Sequence, residues 1–155
     1  MIAVQHIHPI FVHFPIVLIF IVSAIDIICF WHDRDVTIRS GTGTISSFLA
    51  LAAGVFAVAT WYLGGLALDV AEAGGFSSEV AEMHEGLGGL TALTFLVWGM
   101  IRLTLWIRNR SIRSMAIAIP LTEIAGSVLV TVTAYYGGML VYDLGVNVTK
   151  SVIGG

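Results

Sequence analysis

Four long apolar stretches separated by short polar connections make up nearly the whole chain: about Pro9 to Trp31, Gly43 to Leu68, His84 to Ile107, and Ser114 to Tyr142. Each is long enough as a helix to cross a hydrocarbon core, which takes roughly 20 residues. Barrel strands would alternate polar and apolar residues, and lipid offers no partner to an unpaired backbone amide, so the pattern predicts helices. The expected fold is all-α: a four-helix transmembrane bundle, up-down-up-down, forming a single integral-membrane domain over residues 1–155. The first stretch lacks a basic leader, is too long for the apolar part of a signal peptide, and opens with His8-Pro9 and Phe14-Pro15. It is therefore expected to be a retained span. The longest connection, about Asp69 to Met83, places Ser77 and Ser78 ahead of Glu79 and Glu82. Hydroxyl caps and early acids suit a helix N-terminus, so the third helix is expected to begin before His84.

Composition agrees that lipid is the solvent, with 57% hydrophobic and 11% charged residues and a mean hydropathy of +0.95. Charge adds a direction. Arg34 and Arg39 follow the first helix, Arg108, Arg110 and Arg113 follow the third, and Arg102 lies just inside that end, whereas the opposite side carries only Lys150. The positive-inside rule puts the Arg-rich side in the cytoplasm, so the expectation is a multi-pass protein of the cell inner (cytoplasmic) membrane with both termini outside. Asp69, Glu72, Glu79, Glu82, Glu85 and Asp143 make the outer side acidic, which fits a basic external partner by electrostatic complementarity. No nucleic-acid partner is expected.

Threading the chain through four spans brings distant segments to one outer depth. They are His8-Pro9 to Pro15, Trp61-Tyr62-Leu63-Gly64-Gly65, Met83-His84-Glu85-Gly86-Leu87-Gly88-Gly89, and Tyr135-Tyr136-Gly137-Gly138 to Tyr142. Glycine costs a helix up to about 1 kcal/mol against alanine. Two reasons for Gly64, Gly88, Gly137 and Gly138 stand side by side: close helix packing through small residues, or backbone that recedes beside a large planar cofactor. A haem b needs an axial imidazole on each face. By depth His13 and His84 fit that role. His8 precedes His13 by five residues, a rotation of about 140° around a helix, so it is an alternative ligand or a partner for a propionate. Pro9 at the first helical position would make His8 the cap. His6 and His32 fall outside the cluster, and Met83 and Met139 read as packing residues. Without a Cys-x-x-Cys-His motif, and with Cys29 the lone cysteine, any haem is noncovalent.

A second polar layer, Asp26, Arg102 and Glu123, lies toward the other side. Ionisable groups in a bilayer tend to pair. Depth matching predicts an Asp26 to Arg102 intramembrane ion pair, with Glu123 brought close after Pro120 kinks the fourth helix. Structural pairing and proton movement linked to quinone chemistry are both open roles. Trp61, Tyr62, Tyr135, Tyr136 and Tyr142 fit an interfacial aromatic belt.

His8-Pro9 with Val12-His13-Phe14-Pro15-Ile16, Asp26, Glu82 to Glu85 around His84, and Gly137-Gly138 with Leu140-Val141-Tyr142 and Gly145-Val146 run along nearly the whole chain. In these motifs it resembles the bacterial four-span membrane family called domain of unknown function 2231. Some members of that family carry a fused Rieske iron-sulfur domain, so the resemblance implies redox work near a quinone or haem, with any iron-sulfur partner of this chain a separate subunit. The ligand set it implies is His8, His13 and His84.

The expected function is a small cytochrome b-like electron-transfer subunit that binds one haem near the outer, periplasmic face and exchanges electrons with quinol or an external carrier. The alternatives are a divalent-metal-binding or transport protein, using the same histidines with Glu82 or Glu85 for zinc or copper, and a structural subunit of a larger complex. No P-loop or nucleophilic triad appears, so a stand-alone enzyme is the weaker expectation. A redox partner subunit and a homo-oligomer complete the partner readings.

Overall fold

The computed structural model describes residues 6–146 and 148; Lys150 lies outside the described residues. The helices in chain order are α1 (His8–Phe11), α2 (His13–Trp31), α3 (Gly41–Ala73), α4 (Glu79–Ile107) and α5 (Ala118–Tyr142), with a 3-10 turn at Arg113–Met115. Together α1 and α2 form one span of 24 residues, and α3, α4 and α5 have 33, 29 and 25. At 1.5 Å per residue the shortest is about 36 Å long and α3 about 50 Å, against a hydrocarbon core of about 30 Å. The chain is therefore an all-α, multi-pass membrane protein, and no strand occurs among the described residues.

Local chemistry accounts for the helix limits. Pro15 has no N–H, so the Phe11 carbonyl loses its helical donor, and the Thr60 hydroxyl donates to it instead at 3.2 Å. This is where the first span divides into α1 and α2. Ser40 caps α3, accepting from the Gly43 N–H at 3.0 Å, and Ser78 caps α4, accepting from Val80 N–H at 3.2 Å. As a result α4 begins at Glu79, and His84 lies inside its second turn. Two expectations are corrected at helix starts. The cap of α1 is Ile7 and His8 is the first helical residue. Pro120 is the third residue of α5, where its missing N–H breaks no helical bond, so it helps to start the helix and has no cause to kink it.

The helices close into a ring in which α2 packs on α3 and α5, and α4 packs on the same two. Its solvent-facing logic is inverted relative to a water-soluble bundle. Large apolar side chains such as Phe20, Ile28, Phe48, Val55, Leu93 and Val128 point outward, while Ser23, Asp26, Ser46, Thr91, Arg102 and Glu123 are buried. At mid-depth the closest approach is made by single glycines. A Cβ on Gly54 would lie 2.6 Å from the Phe95 carbonyl oxygen, and one on Gly99 would lie 2.7 Å from the Leu51 Cα. Both clashes are with backbone, so α3 and α4 would have to separate. Replacing Gly54 or Gly99 by Ala is expected to destabilise the bundle by about 1–3 kcal/mol. Gly41→Ala, where a Cβ meets nothing within 4 Å, is the matched control in a detergent thermal-unfolding assay.

The α2–α3 and α4–α5 connections clasp one another. Arg39 donates to the Trp106 carbonyl at 3.3 Å and to Ile107 O, its backbone N–H reaches Asn109 Oδ1 at 2.9 Å, and its guanidinium lies 5.4 Å from the Trp106 ring centre. A cation at this C-terminus also suits the helix dipole. Ser111 donates to Asp35, and Arg113 pairs with Asp33. Burial pushes the Asp35 carboxyl up, but hydrogen bonds from Ser111 and Thr37 outweigh it and hold the group below its ordinary value.

The two halves are one unit used twice. Asp33 and Asn109, the residues just past α2 and α4, are both left-handed, with φ of 54° and 49°. The following N–H groups close the helices in the same way, Arg34 to Cys29 O at 2.8 Å and Arg110 to Leu105 O at 2.9 Å. Counting back from these turns, Asp26 is equivalent to Arg102, Ile19 to Phe95, and His8 to His84. In the second helix of each half, Thr60-Trp61-Tyr62-Leu63-Gly64-Gly65 matches Thr133-Ala134-Tyr135-Tyr136-Gly137-Gly138. Equivalent helices run in the same direction, so the halves are related as by a two-fold axis along the membrane normal.

Candidate functional site

At the end of the bundle where α1 and α4 begin, the doubled unit produces a facing pair of imidazoles. His8 Nδ1 lies 3.0 Å from the Thr60 carbonyl oxygen, and His84 Nδ1 lies 3.0 Å from that of Thr133. A carbonyl only accepts, so Nδ1 carries the hydrogen in both rings, and each Nε2 is left with its lone pair. Four residues beyond each threonine stands a glycine that the ring rests on. A Cβ on Gly64 would come 3.0 Å from His8 Cε1, and one on Gly137 would come 2.9 Å from His84 Cε1. The carbonyl fixes each ring's tautomer while the glycine makes room for it. The ring centroids are 6.3 Å apart and the planes are inclined at 79°.

These rings line a cavity of about 490 Å³ bounded by all four spans, with walls that include Val12, Pro15, Ile16, Ala57, Gly138 and Val130. Its size falls within the usual range for a small-molecule or cofactor pocket, roughly 300–1,000 Å³. His13 lines the same cavity, but its side chain is exposed, and the ring that meets His84 is that of His8. Glu85 and Gly88 also line it. The Gly-Gly pairs divide by role: Gly64 and Gly137 seat the histidines, Gly88 and Gly89 lie against Trp61, and a Cβ on Gly65 would meet nothing within 4 Å. Close helix packing belongs to Gly54, Gly99 and Gly126 instead. No cluster of three His, Cys, Asp or Glu side chains suited to a metal ion occurs among the described residues.

The second polar layer forms around Arg102. Its Nη1 is 2.5 Å from Asp26 Oδ2 and 3.6 Å from Glu123 Oε1, and all three side chains are fully buried. Its Nη2 donates to Ser46 Oγ at 2.6 Å and to the Val36 carbonyl at 3.1 Å. Ser46 in turn donates to Asp26, and Trp98 Nε1 donates to Glu123 Oε1 at 2.6 Å. Every span contributes to this cluster. It lies 18 residues along the helix from the histidine in each half, about 27 Å at helical rise, and so sits near the opposite end of the bundle.

The partners that sequence reasoning missed are Thr60 and Thr133, because they act through backbone carbonyls. The signal that marks them is the repeated Thr-x-Tyr-x-Gly-Gly. Compared with known proteins, the chain matches no curated protein and no solved structure. The model of the predicted membrane proteins of DUF2231 matches residues 5–150, nearly the full length over which the doubled helix pairs extend, and the chain therefore belongs to the DUF2231 family.

Proposed function

We propose that this protein is a small cytochrome b-like electron-transfer subunit holding one noncovalent haem b between His8 and His84. The separation of the two rings carries this reading. Imidazole nitrogens bind first-row metals at about 2.0–2.1 Å, so two rings on opposite sides of one metal have centroids roughly 6.3–6.5 Å apart. A tetrahedral pair would bring them to roughly 5.2 Å at the same bond length. The value of 6.3 Å favours axial ligation over a zinc or copper site built on the same histidines. The cavity, apolar in most of its wall and free of bulk beside Gly65 and Gly138, supports a large planar guest.

When bound, a haem supplies a one-electron couple. The chain's own residues hold and orient it. Thr60 and Thr133 keep each Nδ1 protonated and each Nε2 directed to serve as a ligand, which is the outer-shell contribution that raises ligand basicity. Gly64 and Gly137 set how far each ring advances. With the Arg-rich connections in the cytoplasm, the site lies near the periplasmic face, where quinol in the membrane and a basic external carrier are the proposed exchange partners.

The test is a visible spectrum of detergent-purified protein, oxidised and dithionite-reduced, with haem and metals quantified on the same sample. A sharp reduced α-band with about one haem per chain is the expected result. Colourless protein after haem-supplemented expression overturns the reading, and stoichiometric zinc or copper in that sample replaces it with the divalent-metal one.

A further inference from the structure

The cluster around Arg102 holds two carboxylates against one guanidinium, and one carboxylate oxygen, Glu123 Oε2, is served only by a long contact to a hydroxyl whose hydrogen has a nearer acceptor. Glu123 Oε1 is served by Trp98 Nε1 at 2.6 Å. The hydrogen-bond partner of Oε2 is Ser23 Oγ at 3.4 Å, but that hydroxyl has one hydrogen, and the Ile19 carbonyl at 2.7 Å is a much nearer acceptor for it than Oε2 or the Glu123 carbonyl, both at 3.4 Å. Ser127 Oγ, 3.0 Å from Ser23 Oγ, can supply a hydrogen to Ser23 yet does not reach Oε2. Ser23 thus offers Oε2 a lone pair and no donor. A hydrogen on Oε2 resolves this geometry, donating to Ser23 Oγ, and it also balances the charge of the cluster in a medium where an excess charge is costly. Within the cluster, Arg102 Nε has no partner among the described residues.

We propose that Asp26, Arg102 and Glu123 form a proton-binding site, with the proton on Glu123 Oε2, that exchanges with the Arg-rich side of the membrane. The charged groups facing Glu123 are Asp26 of α2 and Arg102 of α4, and α3 contributes the neutral Ser46 through Arg102. The route enters by a cleft of about 60 Å³ lined by Asp33, Arg34, Asp35, Arg113, Ala116 and Pro120 that ends at Asp26, and Arg102, in contact with both carboxylates, connects Asp26 to Glu123. In the exchange, water on that side gives up one proton and the carboxylate becomes a carboxylic acid, with no change in electron count. This site is independent of any haem, since it lies near the other end of the bundle.

Infrared spectroscopy of the detergent-purified full-length protein tests it. The wild type should show the carbonyl stretch of a protonated carboxylic acid that shifts down in D2O. Glu123→Gln should abolish the band and Asp26→Asn should retain it. Ser23→Ala, which removes the acceptor for the acid hydrogen, should move the band to higher frequency, and this keeps the test available if Glu123→Gln does not fold. Ala116→Trp, filling the cleft, should slow the deuterium shift without moving the band. Absence of the band in the wild type, its survival in Glu123→Gln, or its insensitivity to Ser23→Ala overturns the proton site. An unchanged exchange rate in Ala116→Trp overturns the route.

Discussion

If the protein holds a haem as proposed, replacing either His8 or His84 by alanine is expected to abolish most of its occupancy, while His13→Ala keeps most of it. The asymmetry follows from position: His8 and His84 each hold a fixed Nδ1–H and a free Nε2 across the cavity, whereas the exposed His13 lines the cavity and leaves the pairing with His84 to His8. Removing one imidazole would leave the proposed haem one of its two protein ligands, and the reduced α-band should then broaden or vanish before the protein loses its fold. Gly137→Val provides an orthogonal check, because its side chain would occupy the place of the His84 ring and should displace the ligand with the histidine still present. The 79° inclination of the rings adds a spectroscopic expectation. Near-perpendicular imidazole planes would leave the two dπ orbitals of an iron held between them close in energy, so a haem-loaded oxidised protein should give a strongly anisotropic low-spin resonance at high g. A rhombic signal of the kind given by parallel rings would require the pair to reorient, and equal loss in all three alanine variants would mean that the ring pair is not the ligand set.

Arg102→Ala should be the most destabilising single substitution in the membrane interior. Breaking a buried ion pair by removing one partner costs about 3–5 kcal/mol, because the other charge is left without compensation. Here Asp26, Glu123, Ser46 and the Val36 carbonyl all lose the same partner. The expected outcome is a protein that is extracted in low yield, or that unfolds many degrees below the wild type in a detergent melt. The double variant Asp26→Leu with Arg102→Met should recover most of that loss, since exchanging a whole buried pair for apolar residues is often neutral or stabilising. Failure of the double variant to recover would mean that the pair contributes specific geometry as well as charge balance.

Much of this architecture is legible in residue order alone. The four spans, the Asp26 to Arg102 pair, and the meeting of His8 and His84 at one depth all follow from apolar length and threading, because lipid forces every backbone amide into a helix and depth is then proportional to position. Rotation about the helix axis is less accessible. His8 and His13 lie about 140° apart around the first span, Val12 between them keeps helical angles of φ −57° and ψ −28°, and residue order does not say which of the two faces His84. The packing glycines are similarly obscure: Gly54, Gly99 and Gly126 stand alone in apolar runs, whereas the conspicuous Gly-Gly pairs turn out to adjoin histidine and tryptophan rings. Pro120 is ambiguous for a different reason, since a proline near a helix start opens the helix or bends it according to a shift of one turn in the boundary.

The repeat of the two halves has a consequence for how such a protein can arise. Asp26 and Arg102 occupy equivalent positions, so a symmetric pair of separate half-length chains would set aspartate against aspartate, or arginine against arginine, within hydrocarbon. Either meeting would repel. The buried ion pair is available only to halves that have diverged, one acidic and the other basic at the equivalent position. The facing histidines carry no such restriction, because two like imidazoles suit a symmetric site. The ring pair thus suits two identical halves, whereas the charge pair requires halves that differ in sequence.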